Sequence, residues 1–177
     1  MPFKEKKPIQ QKIVNVDEHL NRGNKLKIWI DADACPKIIK EHVYKIAASK
    51  NISVTLVANA QIWIPTSPLI DLVQVEQGAD VADNYIAEHA DRNDLIITAD
   101  IPLAALIVDL GAIAINPRGE VYTEENISER LSIRDFMQEL RDGGLETGGP
   151  PPFGTKDKAE FANSLNRILN KASSPKK

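Results

Sequence analysis

The sequence predicts an α/β fold, a three-layer α/β/α sandwich around a parallel sheet, with further helices at its C-terminal end. Short apolar runs rich in Val and Ile alternate with segments of helical periodicity from Lys27 to Ile115. Helix-opening and helix-stopping residues stand at the changeovers: Pro36, then Asp100 with Pro102, then Gly111. Strand and helix alternating in this way call for parallel strands joined by right-handed crossovers, with helices covering both faces.

Lys27 to Ala32 reads as a buried strand, and the helix opened by Pro36 carries Ile38, Ile39, Val43 and Ile46 at helical spacing. Ser53 to Ala58 is a second strand. Asn59 to Pro68, with two prolines and Trp63, reads as a loop or broken helix. Leu72 to Val75 is a third strand. After Gly78-Ala79-Asp80, the residues Val81, Ala82, Tyr85, Ile86 and His89 mark one side of a helix. Asp94 to Thr98 is a fourth strand, and Leu103, Leu106, Ile107 and Leu110 give the next helix its apolar positions. Ala112 to Ile115 is a fifth strand. Thr123 to about Arg141 reads as one or two helices. Gly143 to Gly154 is too rich in Gly and Pro for regular structure. A last helix, capped by Asp157, carries Phe161, Leu165, Ile168 and Leu169.

The chain's 177 residues suit one domain with a substantial core, here placed at 26–171. Residues 1–25 read as a polar, mildly basic, flexible tail, and 172–177 as a frayed end. A net charge of −3 gives no global signature of nucleic-acid affinity. One cysteine makes neither an internal disulfide nor a Cys-rich zinc site, so a cytoplasmic setting is expected. No apolar run approaches the ~20 residues of a membrane span, and no signal peptide is apparent. Base rate alone points to a weak homodimer.

Five carboxylates share one architectural position, the carboxyl end of a strand or the start of the helix after it. Asp31 and Asp33 follow the first strand, Asp80 and Asp83 open the helix after the third, and Asp100 follows the fourth. In a parallel sheet these loops emerge at the same edge, where ligands bind. Like charges so placed raise one another's pKa or require a cation, and oxygen ligands suit Mg²⁺ or Mn²⁺. Taken alone, Asp33, Asp80 or Asp100 is well explained as a helix cap meeting the dipole, and Asp83 as a solvent-facing side chain. Capping does not require two acids after the first strand and two more after the third, so the joint pattern favours a metal cluster. Cys35 lacks the partners of a nucleophilic thiol: position 41 is Glu where a phosphatase loop has Arg, and position 38 is Ile where a thioredoxin-type site has Cys. Arg118, after the fifth strand, and Arg134, on the following helix, are candidates to hold phosphate.

Asp31-Ala-Asp-Ala-Cys-Pro36, Gly78-Ala-Asp-Val-Ala-Asp83, Ile97-Thr-Ala-Asp-Ile-Pro-Leu-Ala104, Asn116-Pro-Arg-Gly119 and Gly148-Gly-Pro150 together resemble the uncharacterised bacterial YaiI/YqxD family, grouped with the PIN-like domains. The resemblance spans roughly residues 27 to 170. It implies a PIN-like, Rossmann-like fold and a metal-dependent nuclease, with RNA favoured over DNA as substrate. Asp31, Asp80 or Asp83, and Asp100 then hold one or two ions that activate water for attack on the phosphodiester. Asp33 is an extra acid beside the first. Thr98 orients a ligand or water, and Arg118 and Arg134 position the phosphate. Two other classes compete: a non-catalytic RNA- or protein-binding module, and a haloacid-dehalogenase-like phosphatase using Asp31 as nucleophile. The second wants a downstream lysine, and lysines are absent between Lys50 and Lys156.

Overall fold

The computed structural model describes residues 25–174. The expected N-terminal tail therefore lies outside the described residues, apart from Lys25. Six strands form one sheet: β1 (Ile28–Asp31), β2 (Val54–Ala58), β3 (Ile70–Gln74), β4 (Leu95–Ile97), β5 (Ile113–Ile115) and β6 (Val121–Tyr122). Among the described residues, five helices accompany them: α1 (Lys37–Lys50), α2 (Val81–His89), α3 (Ile101–Leu110), α4 (Glu124–Asp142) and α5 (Thr155–Ser173). The strand order is β3-β2-β1-β4-β5-β6, with β1 to β5 parallel and β6 antiparallel to β5.

Alternation of side chains along each strand divides the core into two layers. Ile28 and Ile30 of β1, Leu56 of β2 and Ile97 of β4 pack with Ile39 and Val43 of α1 and with Phe161 and Leu165 of α5. Trp29, Val57 and Ile96 point to the other face, against Ile86 of α2, Leu103 and Ile107 of α3, and Ile127 of α4. The sandwich is thus α1 and α5, then the sheet, then α2, α3 and α4. Among the described residues no helix is long and apolar enough to cross a membrane.

Several boundaries differ from the sequence expectation. Strand β6 has two residues, too few to show a period, and it makes the sheet mixed rather than wholly parallel. The stretch after Thr123 is a single helix, closed at its start by a box in which Thr123 Oγ1 accepts from Asn126 N and Asn126 Oδ1 from Thr123 N. Helix α5 reaches Ser173, past the point where fraying was expected. Asp157 lies inside that helix rather than at its cap, yet its carboxylate still accepts the Gly154 N–H at 2.9 Å. Gly119, at φ +95°, turns β5 into β6 so close to α5 that a Cβ there would collide with the Glu160–Phe161 backbone. Ser164 Oγ donates to the Gly119 carbonyl at 2.7 Å, fixing α5 on that turn.

Candidate functional site

The strand order reverses between β1 and β4, each paired to the other but continuing in opposite directions across the sheet. At such a switch point the loops leaving the two carboxyl ends diverge and leave a crevice. A pocket of about 380 Å³ opens there, lined by Asp31, Asp33, Asp80, Asp83 and Asp100, together with Asn59 and the small residues Ala34, Gly78, Ala82 and Ala99. All five acids of the sequence pattern are therefore brought to one cavity. Small neighbours keep it open, and no Lys or Arg is among its lining, counted over the described residues.

Each carboxylate is held differently. Asp31 ends β1 and is buried, and its Oδ2 accepts from the Thr98 hydroxyl at 3.0 Å. Its pKa is raised, chiefly by desolvation; the Thr98 bond opposes this, while the charges of Asp100 and Asp33 add to it. Asp33 is exposed on the loop after β1 and accepts the Asn59 backbone N–H at 3.0 Å. That bond ties the exit of β1 to the exit of β2. Asp80 precedes α2 in a left-handed conformation, φ 62°, which Asp tolerates better than most residues, and its side chain does not cap the helix. The capping explanation thus does not account for Asp80. Asp100 does cap: its Oδ1 accepts from Leu103 N at 2.8 Å.

Asp83 carries the clearest electrostatic signature. Its pKa is raised to about 7, first by burial, then by the charges of Asp100, Asp31 and Asp80, with a hydrogen bond to the Asp100 side chain. The half-buried Asp83 carboxyl therefore keeps its proton to near neutrality beside the Asp100 side chain, the usual response of an acid buried and crowded without a counter-charge. The acids ring the pocket rather than closing on a point. Among the described residues no group of three Asp, Glu, His or Cys is drawn together as a ready ligand set. The donor chemistry still fits a hard divalent cation: oxygen donors, excess negative charge, and a carboxyl whose proton a cation would displace.

The other candidates lie outside this lining. Thr98 is buried, donating to Asp31 and accepting the Asp100 N–H at 3.0 Å, so it sets the spacing between those two acids. Arg118 spends its guanidinium on Asp157 at 3.0 Å and on the Pro151 carbonyl at 2.6 Å, with Phe153 beneath it. It anchors the far end of the Gly-rich loop. Arg134 is exposed and pairs with its neighbour Asp135 at 2.9 Å. Cys35 is buried, and desolvation pushes its thiol up to about 12, which suits a packing residue. Asn59 was not among the sequence candidates. Its signal was its position, directly after a strand at the acidic edge.

A family model described as "Uncharacterized BCR, YaiI/YqxD family" matches residues 29–171. A UPF0178 protein of Hydrogenovibrio crunogenus is 56% identical over 146 residues, 82% of this chain and 97% of its own. A UPF0178 protein of Desulfotalea psychrophila is 57% identical over 144 residues, 81% of this chain and 97% of its own. One from Geobacter metallireducens is 55% identical over 146 residues, 82% of this chain and 94% of its own. No solved structure matches the chain.

Proposed function

The chain belongs to the YaiI/YqxD family, and from that premise we propose that it is a divalent-metal-dependent nuclease that hydrolyses phosphodiesters, RNA rather than DNA, at the acidic pocket. The observation that carries the reading is the convergence of Asp31, Asp33, Asp80, Asp83 and Asp100 on one cavity with no cationic side chain in its lining among the described residues. Such a surplus repels a phosphodiester unless a cation intervenes. Mg²⁺ or Mn²⁺, held by Asp31, Asp80, Asp83 and Asp100 with Asp33 at the rim, would supply Lewis acidity and charge neutralisation for in-line displacement.

The chain's own groups prepare this site. Thr98 keeps Asp31 oriented and ionisable despite its burial. The helix cap holds one oxygen of Asp100 on Leu103 N, so the carboxylate cannot swing away from the pocket. Asp83 holds a proton against Asp100 up to about pH 7, so cation binding strengthens as that proton leaves. The preference for RNA rests on the likeness of the motifs to PIN-like nucleases, a fold-level analogy. Among the described residues no lysine lines the pocket, which weighs against the phosphatase reading, since that needs such a charge partner for an aspartyl-phosphate.

The test is cleavage of single-stranded and structured RNA and DNA by the purified chain with millimolar Mn²⁺. The expected result is metal-dependent cleavage reduced at least ~100-fold in Asp31→Asn and in Asp100→Asn. No cleavage of any substrate, or variants as active as the wild type, would overturn the nuclease reading. Mn²⁺ binding without cleavage would select the non-catalytic module. Phosphate trapped covalently on Asp31 would select the phosphatase.

A further inference from the structure

Helix α4 leaves the body of the molecule after its first two turns. Ile127 is its buried residue, and over the described residues nothing from Ser128 to Asp142 is buried. Yet this outer half is not polar all round. Ile133, Phe136, Met137 and Leu140 recur at i, i+3, i+4 and i+7, which places them on one stripe. Ile133 is 43% exposed, Phe136 58% and Met137 38%. Scattered exposed apolar residues are ordinary, but a continuous stripe on a projecting helix is a surface that nothing among the described residues covers.

The charges beside the stripe identify the cover. At 3.6 residues per turn, Arg130, Arg134 and Arg141 run along one flank, while Glu125, Glu129 and Glu139 run along the other. In a parallel helix pair the flank on one side of the seam faces the opposite flank of the partner; in an antiparallel pair, like flanks meet. An apolar seam with a basic row on one side and an acidic row on the other is complementary to a parallel copy of itself. Among the described residues, Arg134 and Arg141 bond to near neighbours on the same helix, Asp135 and Gln138, contacts that solvent-exposed side chains exchange at little cost.

We propose that α4 is a homodimerisation helix: two copies of this chain pair in parallel through Ile133, Phe136, Met137 and Leu140. The Arg134 and Arg141 row of each copy lies along the Glu129 and Glu139 row of the other. The apolar seam is two turns long, so the dimer is weak and in exchange with monomer.

Sedimentation velocity of the full chain over a wide concentration range reads this directly. The wild type is expected to shift from monomer to dimer as concentration rises, and Phe136→Glu to stay monomeric, with circular dichroism unchanged because position 136 is exposed. Two further variants test the arrangement. Arg134→Glu with Arg141→Glu makes both flanks acidic, and Glu129→Lys with Glu139→Lys makes both basic. Each is expected to lose self-association at least ~10-fold, while an equimolar mixture forms a heterodimer at least as tight as the wild-type pair. A wild type monomeric at every concentration, a dimer indifferent to Phe136→Glu, or charge variants with no preference for each other would overturn the proposal.

Discussion

Two aspartates stand at opposite ends of the central strands, both almost withdrawn from water, and the fold treats them in opposite ways. Asp94 precedes β4 at the amino end of the sheet and is 2% exposed; Asp31 closes β1 at the carboxyl end and is 7% exposed. Asp94 accepts three N–H bonds, from the Trp29 indole at 2.9 Å, Asp91 N at 2.9 Å and Lys27 N at 3.2 Å. The Lys27 ammonium also lies 3.8 Å from the Trp29 ring centroid, bringing positive charge to the same corner. Asp31 receives the Thr98 hydroxyl and otherwise faces other acids. A buried carboxylate with donors around it fastens a fold. One with further carboxylates around it is a cost that makes sense where a cation is to be received.

The largest expected effect lies on the Asp94 side. Asp94→Ala leaves three donors without their acceptor, one of them a buried indole N–H, and should lower stability by about 3–5 kcal/mol, read by urea denaturation. If the loss is below ~1 kcal/mol, the fastening role is wrong.

On the acidic side the sign reverses. Unfolded, the Asp83 carboxyl ionises near 3.8, and in the folded chain near 7, so between these pH values the folded state holds a proton that the unfolded state has lost. Stability from this group is therefore highest below pH 4, falls as pH rises through the window, and stays reduced above 7. Asp83→Asn removes that penalty. In metal-free buffer at pH 8 it should stabilise the chain by about 1–2 kcal/mol, after allowance for partial exposure, and by nothing at pH 4. Thermal melts at the two pH values check this; equal melting shifts at both would contradict it.

A smaller loss is expected at the link between the acids. Thr98→Val removes a hydroxyl that donates to Asp31 and accepts from Asp100 N, and should cost about 1–2 kcal/mol at pH 8. The decisive comparison is with Asp31→Asn: once that charge is gone, much of the Thr98→Val loss should vanish, as a double-mutant cycle measures. Last, millimolar Mn²⁺ should raise the melting temperature of the wild type by a few degrees, about 1 kcal/mol of linkage, and leave Asp31→Asn where it was. A shift of equal size in both would place ion binding elsewhere.

Much of the fold was legible because its signals are local. Apolar runs such as Leu95-Ile96-Ile97 and helical periodicity such as Ile39, Val43 and Ala47 report burial through spacing alone. Strand β6 was not legible because two residues have no period, and the extent of α5 was not because helix ends depend on packing against the Gly119 turn. The acids were also legible, through their common position after strands. Arg118 marks the limit of that signal: position at an edge does not say which way a guanidinium turns, and here it turns to Asp157 and the Pro151 carbonyl.

By itself the sequence determined that acids stand at the ends of parallel strands, because strand periodicity and residue type are properties of short segments. Only the tertiary structure decided what those acids do to one another. The reversal of strand order between β1 and β4 brings α2 alongside Asp100, and burial there, reinforced by the neighbouring acids, lifts Asp83 to about 7. Coulomb interactions act across space, between residues as far apart in the chain as Asp31 and Asp100, so no local pattern could have assigned them.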